Sequence, residues 1–161
     1  MKPVEIPTEN KIGVVKATQE MELAIIAVPW KQIAAEDSDI TVDNLVHKEM
    51  LDVGDMIYVY TNGGYNTWTL EADAEGNKVW GAMQVFEASG ARSSGHAGDH
   101  SIPRGAGVFL KRADPSKPYY LCGQVDESEV STTISEKANI VANPNITDFN
   151  LNAAGAIESA S

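Results

Sequence analysis

Short apolar runs of strand length, separated by Gly, Pro, Asn and Asp, are the feature that most constrains how this chain can fold. Glu22–Trp30 is almost continuously apolar, as a strand covered on both faces would be. Lys11–Thr18, Asp55–Thr61 and Tyr119–Val125 mix β-branched, aliphatic and aromatic residues over similar lengths. Further strands are predicted at Ile102–Arg112, Ser131–Ser135 and Asn139–Ala142. The pattern predicts an all-β fold, a single β-sandwich or barrel-like domain of about eight or nine strands.

One segment in the first half of the chain departs from this pattern. Thr41 is a suitable N-cap for a short helix over Val42–Leu51, and Gly54 lies just beyond its end. A strand at Ile40–Leu45 is the alternative, and the helix is slightly favoured. We therefore predict one short helix within the β domain.

Both ends of the chain read as extended arms that flank a β domain of residues 11–144. Two prolines keep residues 1–10 out of a helix, and residues 145–161 are rich in Asn and Ala. The first residues lack the apolar segment of a secretory signal, which fits an intracellular protein or a secreted one without its leader. The apolar arm residues that we expect to make contacts between subunits are Val4, Ile6, Phe149 and Leu151.

The charge balance disfavours two classes of partner. The chain has 12 basic and 23 acidic residues, for a net charge of −11. Nucleic-acid binding depends on Lys and Arg that neutralise phosphates, and this surface would repel them. No apolar run approaches the roughly 20 residues that span a bilayer. We predict no nucleic-acid binding and no membrane insertion. We interpret the acidity as a device for solubility, and clustered carboxylates that bind calcium or a basic partner are the alternative.

Residues 88–101 have the composition of a long exposed loop, because they offer little apolar area to offset the entropy of ordering. This loop contains His96, Asp99 and His100, whose side chains are suitable ligands for a divalent metal. Histidines four residues apart share a face only on a helix, and the glycines here argue against one. A polar loop that happens to hold two histidines is the simpler interpretation, and a metal or pH-dependent role is the alternative.

The segment Thr67–Phe86 reads as a hairpin whose turn contains Gly76 and Asn77. Glu71–Gly76 also resembles the first half of a calcium-binding loop, with carboxylates at alternate positions before a glycine. The closing carboxylate of such a loop belongs at its twelfth position, where this chain has Ala82. A hairpin turn explains the same residues, and looser calcium binding by acidic loops is the alternative.

No catalytic motif stands out in the chain. GxSxG, HExxH and paired cysteines do not occur, and the single cysteine, Cys122, has no histidine near it in sequence. We interpret Cys122 as a small core residue. The sequence therefore predicts that the protein is not an enzyme and has no cofactor.

Aromatic residues are the remaining candidates for binding. Core packing explains most of them, but exposed Trp and Tyr on a β domain can stack on sugars or form an interface hot spot. Tyr65 and Trp68 are the best candidates, because they lie beside a Gly-rich turn.

Several stretches of the chain resemble a loose group of exported bacterial β-rich proteins of unassigned function. They are Leu51–Tyr60, the Trp-containing hairpin, Ile102–Arg112 and Asn139–Pro144, and the resemblance covers most of residues 11–152. It implies a surface or extracellular structural protein and brings no catalytic residues.

The leading hypothesis from the sequence is a non-enzymatic structural subunit whose partners are copies of itself. The assembly would be a surface filament, a sheath or a virion component, and the two arms would make the contacts. A carbohydrate- or ligand-binding β module that uses exposed aromatics is the alternative.

Overall fold

The structure is a computed structural model, and it describes residues 12–33, 39–61, 64–81, 84–86, 100–125 and 140. The described chain is mostly β, which confirms the predicted all-β class. Its strands are β1 (Ile12–Ala17), β2 (Leu23–Ala27), β3 (Ile40–Thr41), β4 (Met56–Thr61), β5 (Gly64–Ala72), β6 (Lys78–Trp80), β7 (Gln84–Phe86), β8 (Ser101–Ile102), β9 (Gly107–Lys111) and β10 (Tyr119–Gln124). A one-turn helix, α1 (Val42–Leu45), and a single 3-10 turn, Lys48–Met50, follow β3.

The main sheet is antiparallel and runs in the order β2–β9–β4–β5. Both β6 and β7 pair with the far edge of β5, where β6 pairs with its C-terminal half and β7 with its N-terminal half. The register of β7 is offset by one residue from that of β6. Two smaller antiparallel pairs, β1–β10 and β3–β8, complete the described strands.

Alternation along the central strands separates a buried face of the main sheet from an outer face. On β9, Val108 and Leu110 are fully buried, whereas Phe109 between them points to the other side. Ile57 on β4 and Trp68 on β5 lie directly opposite each other on the buried face. The core forms on this face because each of these strands contributes every second residue to it.

The other side of the core comes from the segments that connect the strands. Ile40 on β3 pairs with Ile102 on β8, and both side chains are buried. Val42 and Leu45 of α1 are buried as well, so the short helix packs its apolar residues against the same core. Trp30 lies beneath the β1–β10 pair, with its indole against the position where Gly13 would carry a side chain.

The helix prediction is correct in kind and too long in extent. Helix α1 has only four residues, because the chain leaves helical geometry at Val46. Thr41 precedes the helix without capping its backbone, and its hydroxyl instead accepts a hydrogen bond from the Asn44 side chain at 3.1 Å. The alternative strand is also partly present, since β3 ends at Thr41.

The predicted strand Ile102–Arg112 is two strands. A turn separates β8 from β9, and it needs Gly105 at a positive φ of 87°. The predicted strand at 131–135 lies outside the described residues, and so does the one at 139–142 except for Ile140. Both predicted arms also lie outside them, with the proposed contact residues Val4, Ile6, Phe149 and Leu151.

A buried ion pair joins the start of β4 to the end of β9. Asp55 and Arg112 are both fully buried, and Arg112 Nε lies 3.4 Å from Asp55 Oδ2. Backbone amides of Asp52 and Ala113 each donate to the same carboxylate at 2.9 Å. The pair therefore fixes the loop before β4 against the loop after β9.

In the part of the chain that is described, no helix is long and apolar enough to cross a membrane.

Candidate functional site

The outer face of the main sheet carries an apolar groove. Strand alternation directs Tyr58 on β4, Tyr65 on β5 and Phe109 on β9 away from the core and onto neighbouring strands. Leu23, at the start of β2, lies beside them. These four side chains form the floor of an open groove of ≈ 400 Å³.

The ring of Tyr65 makes edge-to-face contacts with two other aromatic rings, Phe109 in the groove and Tyr60 beside it. The rings of Tyr65 and Tyr60 are 5.2 Å apart at their centroids, and those of Tyr65 and Phe109 are 6.0 Å apart. Both pairs meet at an interplanar angle of 64°, a geometry that aromatic rings favour. Tyr65 is therefore positioned by two neighbours, with its ring partly exposed at the groove.

Two opposite charges flank the groove at the same end. Glu22 and Lys111 both line it and both are exposed. Register explains their proximity, because Leu23 pairs with Lys111 and Glu22 precedes Leu23. The groove can thus offer an aromatic surface, a carboxylate that accepts hydrogen bonds and an ammonium group that donates them to a neutral ligand, or an apolar surface with a polar rim to a protein.

The structure brings Tyr65 to this groove but not Trp68. The side chain of Trp68 is 0% exposed, since it lies on the opposite face of β5. The expectation that Trp68 presents an exposed ring is therefore wrong. Side chains alternate between the two faces of a strand, so residues separated by an odd number of positions lie on opposite faces. Tyr65 and Trp68 are three positions apart and therefore lie on opposite faces of β5.

His100 packs at the edge of the hydrophobic core. Its imidazole packs against the Trp68 indole, with ring centroids 4.8 Å apart. Burial lowers the pKa of His100 below its usual value, because the charged form loses solvation there. The other two residues of the hypothetical metal site, His96 and Asp99, lie outside the described residues. Within the described ranges, no group of three or more His, Cys, Asp or Glu side chains is arranged to hold a metal ion.

The calcium-like sequence forms the turn between β5 and β6. Asp73 Oδ1 accepts hydrogen bonds from the backbone amides of Glu75 and Asn77 at 3.0 and 2.7 Å. The Asn77 side chain donates to the other carboxylate oxygen at 2.9 Å, and this bond lowers the pKa of Asp73. Gly76 takes a φ of 84° in the turn. The segment is a turn between paired strands, as the hairpin interpretation predicted, and Asp73 uses both of its oxygens to shape it.

A second exposed apolar surface lies on the β1–β10 pair. Ile12 and Val14 of β1 are exposed, and Val14 is directly opposite Cys122 of β10. Cys122 is half-buried on this outward side, so its interpretation as a core residue holds only in part. Of the residues on these two surfaces, the sequence points only to Tyr65 as a candidate for binding. The alternation of large residues along β4 and β9 could have indicated the outer face of the main sheet.

Comparison of the chain with protein-family models, with curated proteins and with solved structures finds no match.

Proposed function

We propose that this protein is a non-enzymatic structural subunit that self-associates through exposed apolar side chains on its first two strands. The observation that supports this proposal is that exposed apolar side chains are concentrated on β1 and β2. Of the nine large hydrophobic side chains exposed in the described part of the chain, five lie on β1 or β2. They are Ile12, Val14, Val15, Leu23 and Ile25.

Physical chemistry links this concentration to association. Scattered exposed apolar residues are ordinary, whereas a contiguous exposed apolar patch marks an interaction surface. On the outer face, Leu23 and Ile25 continue into the groove, since Ile25 pairs directly with Phe109. The strongly acidic remainder of the surface repels other copies, so contact is favoured where acidic residues are missing, and β1 has none.

The proposed setting is a surface filament, a sheath or a virion component. Extended assemblies need either two separate contact surfaces or one surface that binds a different patch on the next subunit. The outward sides of β1 and β2 provide two such surfaces. This proposal involves no cofactor and no nucleic acid.

Lysines placed on both strands are expected to dissociate the assembly. We expect the wild-type full chain to sediment as a concentration-dependent oligomer. The Val14→Lys/Ile25→Lys variant should weaken association more than about tenfold, because each interface then buries an unpaired charge. Sedimentation velocity over a range of concentrations measures this, and negative-stain microscopy shows the form of the assembly.

The matched control is Met50→Lys/Val53→Lys, which adds the same charge at exposed apolar positions outside both strands. Val53 is 54% exposed and Ile25 is 56% exposed, so the two substitutions are comparable in solvent contact. The control should associate like the wild type. A wild-type chain that is monomeric at every concentration would contradict the proposed function.

Carbohydrate binding at the groove is the second candidate, and the positioned ring of Tyr65 favours it. Sugar rings stack their C–H faces on aromatic side chains, and Glu22 and Lys111 could bond to the hydroxyls. Binding on a glycan array should fall at least about tenfold in Tyr65→Ala, given the contribution of one stacked aromatic. Val53→Ala is the control, and an array without signal for the wild type would count against this candidate.

A further inference from the structure

The hydrogen-bonding direction of β10 shows which backbone groups of β1 have no partner among the residues that the structure describes. Lys31 and Gln124 exchange two backbone hydrogen bonds, at 3.1 and 2.9 Å. The amide and carbonyl of Gln124 therefore point away from β1. Tyr120 is four residues earlier and points the same way, and its carbonyl accepts a hydrogen bond from the His47 amide at 3.2 Å.

Alternation along an antiparallel pair then fixes the bonding of β1. The β10 residues that face β1 are Tyr119, Leu121 and Gly123, and their partners are Ala17, Val15 and Gly13. The remaining residues of β1, Ile12, Val14 and Lys16, direct their amides and carbonyls to the opposite edge. Among the described residues, none bonds to that edge.

This edge has few of the features that usually prevent strand pairing. Edge strands avoid pairing through prolines, bulges or several charges, and β1 has no proline and a single charged residue, Lys16. Its pairing with β10 runs through all six residues without interruption. Val14, at the middle of the edge, is 61% exposed.

We propose that β1 pairs with β1 of a second copy, antiparallel and across a twofold axis, with Val14 opposite Val14. This inference rests on the proposed function and names one of its contact surfaces. Only residues with outward-directed backbone groups can bond across the new edge, so Ile12 lies opposite Lys16 of the second copy, and Lys16 opposite Ile12. The result is a continuous four-stranded sheet, β10–β1–β1–β10.

The proposed register satisfies more of the outward-directed backbone groups of β1 than the adjacent registers do. All three outward residues of each strand exchange hydrogen bonds, whereas a shift of two residues in either direction loses one of the three pairs. Valine pairs across the axis, and β-branched cross-strand pairs are favourable. Lysine meets isoleucine instead of another lysine, which avoids opposition of like charges.

Cysteine cross-linking tests the register directly, in a Cys122→Ser background that removes the native thiol. Hydrogen-bonded residues of an antiparallel pair have Cα atoms about 5.5 Å apart, within the range that a disulfide bridges. Val14→Cys should convert mostly to a covalent dimer under mild oxidation. Ile12→Cys alone and Lys16→Cys alone should not, because each thiol would then lie about 14 Å from its copy along the strand. An equal mixture of these two variants should form the mixed dimer.

The outcomes separate failure of this register from failure of the proposed function. If the full chain associates by sedimentation but Val14→Cys cross-links no better than Ile12→Cys, the β1 pairing is overturned and self-association stands. If the chain is monomeric and Val14→Cys stays reduced, both proposals are overturned. Cross-linking of Val14→Cys together with the mixed dimer supports both.

Discussion

Replacing Arg112 with methionine is expected to lower the free energy of unfolding by about 3–5 kcal/mol, a large part of the stability of a domain. Arg112 and Asp55 are both 0% exposed. The substitution leaves a buried carboxylate without its cation, and desolvation of that charge is the main cost. Methionine fills much of the same volume, so the loss of packing contributes less.

The guanidinium also bonds to two partly buried backbone carbonyls. It donates to the backbone carbonyl of Met50 at 3.2 Å and to the carbonyl of Lys117, and it lies 5.4 Å from the centroid of the Tyr119 ring. Arg112 thus connects the segment before β4, the turn after β9 and the first residue of β10. A lysine could not reproduce these bonds, because it lacks the planar fork of donors.

Urea unfolding of the wild type, Arg112→Met and Arg112→Lys measures this effect, and both variants should be destabilised. The double variant Arg112→Met/Asp55→Leu serves as the control for an isolated ion pair. Such a pair can often be replaced by apolar residues without loss. Here we expect no full recovery, since the amides of Asp52 and Ala113 lose their acceptor. Wild-type stability in the double variant would show that the network contributes little.

The strands were largely predictable because their signal is local. Residues 12–17 and 119–124 fall inside runs whose composition alone favours extended structure. The turn at Asp73 was predictable for the same reason, since its acceptor and donors lie within five residues. Local signals also misled at 102–112, where a glycine turn divides what reads as one strand.

The network around Arg112 and the groove could not be predicted from the sequence. Asp55 and Arg112 are far apart in the chain, and only the pairing of β4 with β9 brings them together. The groove likewise needs three strands in register before Tyr58, Tyr65 and Phe109 become neighbours. The alternation of residue types in the sequence shows which side chains share a face of one strand. The order in which the strands pair decides which side chains of different strands become neighbours.

The free edge of β1 is similar, because it follows from the opposite edge of its partner strand. Lys31 and His47 occupy the far side of β10, so β1 is the outer strand of the pair as far as the described ranges extend. In the proposed assembly, the net charge of −11 makes this apolar strand the favoured contact between copies. Acidic repulsion disfavours most orientations of two copies, and this strand has no acidic residue to repel its own copy.

Replacing Trp68 with alanine should lower the free energy of unfolding by about 3–5 kcal/mol, as for other large buried aromatics. The indole is fully buried and packs against His100, and directly opposite it on β4 lies Ile57, which is fully buried too. Alanine would leave a cavity at the centre of the main sheet, and paired strands on both sides of β5 limit its collapse.

Phenylalanine at the same position is the matched comparison and should cost much less than alanine. The Trp68 Nε1–H is buried and has no hydrogen-bond partner among the described residues, so its removal relieves an unsatisfied donor and offsets part of the lost ring area. Thermal or urea unfolding of Trp68→Ala and Trp68→Phe tests this order. Equal losses would show that the indole nitrogen is satisfied in solution. If Trp68→Ala instead left stability unchanged but abolished glycan binding, the side chain would act at the surface and not in the core.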